Sequence, residues 1–445
     1  MSSGYLALTE GDRAEMLAAI GVSAIDDLFA QIPEAVRFAR DLAVPGALTE
    51  VELVRHLEQL AARNVDTSTE LSFLGCGIYD HYVPAIVDTF LGRGELLTAY
   101  TPYQPEMSQG VLQAIFEYQT AICELTGLDV SNASGYDGTT VAADACFIAK
   151  AHTGRTRIVL AETLHPMARQ VVKTYAPGFG MDVVEVPHDG GTIDPERFRV
   201  AADGAAVAMF QHPNVFGCLE DAPALAEAAT AGGGLPVAHV DLASLGILEA
   251  PGAYGCAMAI GEGQSIGNYQ SYGGPHYGFL SARRDLIRRM PGRIVGETSD
   301  LNGDRGFVLT LQTREQHIRR EKATSNITTN QTLLALGGLI TLCWLGPDGL
   351  RELGETCSAL TAYAVETVPL ERAFDRPVFK EVAFRTPIPA RELVARAREH
   401  GVHPGYAIGA EYPGMDDVLL SAFTEKRTQA DVDRLAEIVA AVTAA

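Results

Sequence analysis

Between residues 158 and 280 short apolar runs alternate with segments of helical spacing, and this alternation constrains the fold more than any other feature. The runs are 158–160, 183–186, 205–210, 236–240, 257–260 and 277–280, and segments such as 167–174 and 223–229 lie between them. Runs this short and this continuously apolar leave no face for water, so each predicts a strand covered on both sides. Strands separated by helices predict a mostly parallel sheet with helices on both faces, an α/β fold. Ligands on such sheets bind beyond the carboxyl ends of the strands. A chain of 445 residues, 47% of them hydrophobic, has ample material for that core and for a second, smaller unit.

The 236–240 run ends in Asp241, as a buried strand ends when it delivers a carboxylate to the sheet edge. The next run leads into Gly261-Glu262-Gly263-Gln264-Ser265, and Tyr272-Gly273-Gly274-Pro275-His276 follows. An enzyme that holds pyridoxal phosphate on such a sheet pairs the strand-end Asp with the pyridine nitrogen, and a lysine roughly thirty residues later holds the aldehyde as a Schiff base. Here the Asp and the Gly-Gly turn are present, but Gly267-Asn268-Tyr269-Gln270-Ser271 stands where the lysine belongs. The lysines are Lys150, Lys173, Lys322, Lys380 and Lys426, and none lies between residues 174 and 321. A self-sufficient enzyme using Lys173 or Lys322 is disfavoured. The first lies in a helical segment and the second in a charged connector, whereas a Schiff-base lysine must stand at the strand edge opposite the Asp.

Other candidate binding groups are less specific. Asn132-Ala133-Ser134-Gly135-Tyr136-Asp137-Gly138-Thr139-Thr140 opens a helix over 141–151 that Gly154 closes. Backbone N–H groups at such a helix start suit a phosphate, yet ordinary caps look the same, and Asp137 would repel a phosphate if it pointed inward. His165, Asn214 and Asp241 all follow strand ends, and His165 and Asn214 taken singly read equally well as cap or turn residues. Two prolines make 97–106 a loop carrying Tyr100, Thr101, Tyr103, Gln104 and Glu106. Its tyrosines either pack or present binding groups. Ser108 is placed to cap the helix that follows, and Gly127 to end it.

Residues 1–90 read as a helical arm with capping boxes at Ser23/Asp26 and Thr49/Glu52. Residues 91–310 hold the large α/β domain. Residues 311–445 hold a polar connector, an apolar helix over 331–345 ended by Gly346-Pro347, and a small α/β domain with strands at 380–384 and 418–423. A net charge of -22 without a Lys/Arg cluster excludes a nucleic-acid binder. Seven dispersed cysteines show neither a disulfide framework nor metal-ligand spacing and fit a reducing cytoplasm. The N-terminus lacks the basic start of a signal peptide. The longest apolar run, 333–345, is broken by Gly337-Gly338 and is too short to span a membrane. No metal, membrane or nucleic-acid partner is expected.

Several segments resemble the P protein, or glycine decarboxylase, of the glycine cleavage system. They are Leu74-Gly75-Cys76-Gly77-Ile78-Tyr79-Asp80-His81, Thr98-Ala99-Tyr100-Thr101-Pro102-Tyr103-Gln104-Pro105-Glu106, Gln113-Ala114-Ile115-Phe116-Glu117-Tyr118-Gln119-Thr120 and Tyr136-Asp137-Gly138. Phe210-Gln211-His212-Pro213-Asn214, Gly261-Glu262-Gly263-Gln264 and Arg320-Glu321-Lys322-Ala323-Thr324-Ser325-Asn326-Ile327 resemble the amino-terminal half, where that protein is split into two chains. The resemblance implies the aspartate-aminotransferase-like fold type I of pyridoxal-phosphate-dependent transferases. It implies no covalently bound cofactor here, with the pyridoxal phosphate on a lysine-bearing partner subunit. It implies that the pair decarboxylates glycine and passes the aminomethyl group to the lipoyl arm of the H protein, as a hetero-oligomer. On this view no catalytic residue acts in the chain alone. Tyr100, Thr101, Tyr103, Gln104 and Glu106 reach the partner's active site, while Tyr136, Asp137, Gly138, His165, Asn214 and Asp241 line a vestigial cleft. The alternative is a scaffold that only docks the lipoyl carrier.

Overall fold

A computed structural model describes residues 7–444 apart from 39, 41, 326 and 328; Asn326 of the polar connector therefore lies outside the described residues. The chain divides into two units, 1–65 and 66–445.

In the first unit, helix Glu10–Ile20 starts at a Thr9/Asp12 capping box and helix Glu50–Ala61 at the expected Thr49/Glu52 box. The Ser23 turn differs from expectation. Its N–H donates to Asp27, not Asp26, because the segment Ile25–Phe29 winds as a tighter 3-10 turn. Neither helix buries a side chain, and the apolar stripe Val51, Val54, Leu57 of the second is exposed.

The second unit is organised on a seven-stranded sheet. Its order is Val130–Ser131, Gly278–Ala282, Met258–Glu262, Leu235–His239, Val207–Gln211, Arg157–Ala161 and Asp182–Val186. The pairings are parallel from Met258–Glu262 onward, and Gly278–Ala282 runs antiparallel to both its neighbours. Because successive side chains point to opposite faces, each strand feeds two cores. Val159, Ala208 and Phe210 join one, and Ile158, Val207 and Met209 join the other. The apolar runs therefore reflect burial on both faces, as the sequence pattern predicts.

Helix Gln109–Thr126 ends on Gly127 in the left-handed conformation that glycine adopts without strain. Ser108 precedes it but makes no side-chain cap; Gln109 instead bonds Pro105 O and both Phe307 backbone groups. Helix Thr332–Thr367 breaks at Gly346 and continues past Pro347, so the apolar helix read at 331–345 is its first half. It has the length and apolar composition of a membrane span, but its buried residues Ala335, Leu336 and Leu339 belong to a sheet core. The C-terminal part is a four-stranded sheet, Glu371–Arg372, Glu381–Arg385, Val418–Ala422 and Tyr406–Ala407. Helices Ala390–Arg398 and Gln429–Ala444 cover it through Leu393, Val432 and Leu435. The strand Leu71–Ser72 pairs with Val402–His403, and Phe73 sits in this same small core. The segment 73–84 then runs from the small sheet toward the edge of the large one.

Candidate functional site

A cleft of about 490 Å³ opens at the carboxyl ends of the parallel strands, where an α/β sheet offers its binding edge. Tyr136, Gly138, His165, Asp241, Glu262 and His276 are among its walls.

One end of the cleft is the start of helix Gly138–Thr153. Gly138 packs so closely on the strand Met258–Glu262 that an added Cβ would lie 2.6 Å from Glu262 N, so no larger residue fits. Such a helix start leaves its first N–H groups without helical partners. Here the protein supplies them. Asp137 Oδ1 accepts from Thr139 N at 2.9 Å and Thr140 N at 2.8 Å, and Glu262 Oε2 accepts from Gly138 N at 2.9 Å. Asp137 therefore points inward as a cap. Burial pushes Glu262 up to about 7, against the opposing pull of the Gly138 N–H.

The opposite end holds Asp241. Its Oδ1 accepts from Ser265 Oγ at 2.7 Å, and its Oδ2 lies 2.6 Å from Lys380 Nζ. Lys380, 3% exposed, arrives from the small C-terminal sheet and also meets His81 Nε2 at 2.7 Å. An ammonium only donates, so His81 Nε2 accepts and Nδ1 carries the proton donated to Glu425 Oε2 at 2.7 Å. Burial alone would raise Asp241; the Lys380 ammonium and the Ser265 hydroxyl outweigh it and hold the carboxyl below the usual carboxylate range.

The segment 73–84 closes the back of the site. Glu381 Oε1 accepts from Cys76 N at 2.7 Å and Oε2 from Tyr79 OH at 2.9 Å, while burial pushes Glu381 up to about 7. A Cβ on residue 75 would lie 2.2 Å from that carboxylate, which explains glycine there. Gln264 bonds both backbone groups of Tyr79, and Lys426 and Arg427 grip Asp80 at 2.7 Å each. This segment is thus pinned between the two sheets.

The structure gathers Tyr136, Asp137, Gly138, His165 and Asp241 around the cleft. His165 Nδ1 accepts from Met167 N, so Nε2 carries the proton and donates to Cys76 O at 2.9 Å; burial holds its pKa below the ordinary value. Asn214 is not brought there. It is buried beneath the sheet edge, bonding Gly191 O at 2.8 Å and Glu220 Oε1 at 2.7 Å, and it orders the 214–220 turn. Lys173 pairs with Glu185 at 2.7 Å on an exposed face, and Lys322 lies in the turn Arg320–Lys322.

Tyr100, Thr101, Tyr103, Gln104 and Glu106 do not line the cleft. Tyr100 is 79% exposed and its hydroxyl meets Thr329 Oγ1 at 2.7 Å; Tyr103 is 45% exposed, accepts from Arg293 at 3.2 Å and meets the His317 ring edge-on. They are not core aromatics. Gln109 ties this loop to the hairpin Ile294–Ser299/Arg305–Thr310, so it is presented from a fixed base.

Among the described residues, His81, Cys357 and Glu425 stand close enough to share a metal ion. The Lys380 ammonium already touches that histidine, His81 Nδ1 is committed to Glu425, and burial pushes the Cys357 thiol up to about 12. A buried protonated thiol beside an ammonium is a poor ligand set.

Sequence reasoning missed Lys380, Glu381, Glu262 as an amide acceptor, and the His81–Glu425 pair. The sole available signal was a Lys-Glu pair opening an apolar strand, since charges there need buried partners.

A profile described as Glycine cleavage system P-protein matches residues 3–439. Probable glycine dehydrogenase (decarboxylating) subunit 1 of Bacillus licheniformis is 48% identical over 440 residues, covering 98% of both chains. The protein of that description from Bacillus subtilis is 45% identical over 439 residues, 98% of each chain. A crystal structure of glycine decarboxylase (P-protein) in inhibitor-bound form superposes with a TM-score of 0.90 at 41% identity, over 99% of this chain and 100% of that one. A cysteine desulfurase from Thermococcus onnurineus has a TM-score of 0.64 at 16% identity, covering 85% and 96%, and shares the fold alone.

Proposed function

The chain belongs to the glycine cleavage system P-protein family, and from that premise we propose that it is the half of glycine decarboxylase that holds no pyridoxal phosphate. Its fold is type I, that of the aspartate-aminotransferase-like enzymes. Its relatives are glycine dehydrogenase (decarboxylating) subunits, which implies a second subunit. With a lysine-bearing homologue as partner, it decarboxylates glycine and passes the aminomethyl group to the lipoyl arm of the H protein, in the cytoplasm.

One observation carries this reading: both anchor points of the cleft are filled by the chain's own side chains. The helix amides that would hold a phosphate are taken by the Asp137 and Glu262 carboxyl groups, so an incoming phosphate would meet carboxyl oxygens instead of free N–H groups. The Asp241 carboxylate that would pair a ring nitrogen is paired with Lys380. No lysine stands between residues 174 and 321 to face it. These residues do not fit pyridoxal phosphate. The cleft is held without a cofactor: Asp241 has the Lys380 ammonium as its counter-ion, and burial pushes Glu262 and Glu381 up toward their neutral forms.

The chain's contribution to the reaction is then made elsewhere. Tyr100, Thr101, Tyr103, Gln104 and Glu106 are presented on a loop stiffened by Pro102 and Pro105, outside their own cleft. We assign them to the partner's active site, where a phenol donates to an anionic group while its ring packs beside it. The test is reconstitution. The pure chain, supplied with glycine, bicarbonate, lipoyl carrier and pyridoxal phosphate, is expected to show no carboxyl exchange, and exchange is expected on adding the partner. Turnover by the pure chain would reject the reading.

A further inference from the structure

The ammonium of Lys380 is a buried charge between the two sheets. It sits 2.6 Å from Asp241 Oδ2, 2.7 Å from His81 Nε2 and 3.7 Å from the centroid of the Tyr79 ring. Two acceptors and an aromatic face make a complete coordination shell for an ammonium. Asp241 belongs to the large sheet, Tyr79 and His81 to the 73–84 segment, and Lys380 to the residue before the strand Glu381–Arg385 of the small sheet. The other carboxylates nearby are occupied: Asp137 and Glu262 by helix amides, Glu381 by Cys76 N and Tyr79 OH.

We propose that Lys380 is a tethered internal cation, which occupies on Asp241 the place a ligand cation would take and so latches the C-terminal sandwich to the edge of the large sheet. Its shell is preformed by groups that do not belong to Lys380. Removing the side chain therefore leaves a site for a small organic cation of the alkylammonium or pyridinium class, adjoining the open cleft that Asp241 lines. A carboxylate only 18% exposed and left without its counter-ion is costly, which supplies the driving force for that uptake. The inference rests on the reading of this cleft as one that holds no cofactor.

The experiment is chemical rescue in the full-length chain. Lys380→Ala is expected to melt below the wild type. Butylammonium chloride is expected to raise the melting temperature of that variant in a saturable way, as a ligand of the folded state does, beyond sodium chloride of equal ionic strength. The wild type, whose site is filled, and Lys380→Ala/Asp241→Asn, whose site has lost its anion, are expected to respond alike to both salts. A variant indifferent to butylammonium, or a double variant that responds equally, would overturn the proposal. Should Lys380→Ala yield no folded protein, Asp241→Asn keeps the shape and removes the charge. Faster amide hydrogen exchange over 76–82 and 379–385 is then expected, and unchanged exchange would overturn the latch. Failure of the functional reading shows differently, as exchange of glycine carboxyl by the wild-type chain alone, whatever the outcome of the rescue.

Discussion

Asp137 and Glu262 stand on different elements and share one helix end, the first accepting from Thr139 N and Thr140 N and the second from Gly138 N. Three successive amides that form an anion site in an open helix start are thus held by two of the protein's own carboxylates.

Replacing Asp137 by Ala removes the cap of helix Gly138–Thr153. The expected cost is about 1–2 kcal/mol, read as a lower melting temperature. The freed amides also become an anion site, so inorganic phosphate is expected to stabilise Asp137→Ala/Glu262→Gln and to leave the wild type unmoved. Equal phosphate response in both proteins would contradict the capped reading of the cleft.

The raised carboxyls make stability depend on pH with a definite sign. Glu262 and Glu381 sit at about 7 in the fold against an ordinary 4.5, both through burial. Between those values the folded state binds more protons than the unfolded one, so stability falls as pH rises from about 4.5 to 7. Each contributes roughly 3 kcal/mol over that window, from the size of its shift. The half-buried histidines His165 and His239 have lowered pKa values and act oppositely, costing stability as pH falls below about 6.5. A difference measurement isolates the acid. Glu381→Gln is expected to gain stability relative to wild type as pH goes from 5 to 8 in urea titrations. A pH-independent difference would show that Glu381 stays charged throughout.

How far the sequence reaches is seen by setting Asp241 beside Lys380. Asp241 is marked locally, by an apolar run that stops on a carboxylate, and so is the lysine-free stretch after it. Lys380 carries no such mark. It lies before a strand in another sheet, and only the tertiary approach of that sheet to the large one brings the two charges within 2.6 Å. The strands were legible because burial on both faces leaves continuous apolar runs; the reversal of Gly278–Ala282 was not, since strand direction leaves no trace in composition. Asn214 was placed at the sheet edge by its position after a strand, but Glu220, six residues later, draws its side chain into a turn.

Tyr100→Phe and Tyr103→Phe keep the rings and remove the hydroxyls. Tyr100 OH bonds a half-buried threonine, and the Arg293 guanidinium keeps its contact with the Tyr103 ring when the hydroxyl is lost, so little of the chain's own stability is at stake. Melting temperature and partner affinity are expected to stay within error. Glycine–bicarbonate exchange by the assembled complex is expected to fall on the order of tenfold or more, the scale of one hydrogen bond to a charged group. Unchanged exchange in both variants would leave the loop as an interface strut and favour a chain that only docks the lipoyl carrier.

Where the cofactor is bound is the central claim, and borohydride trapping reads it directly. The reconstituted complex is incubated with pyridoxal phosphate, reduced with borohydride, separated into subunits and mapped by peptide mass. The account predicts a phosphopyridoxyl lysine in the partner and none at Lys150, Lys173, Lys322, Lys380 or Lys426 of this chain. A stoichiometric adduct on any of those five lysines would contradict it.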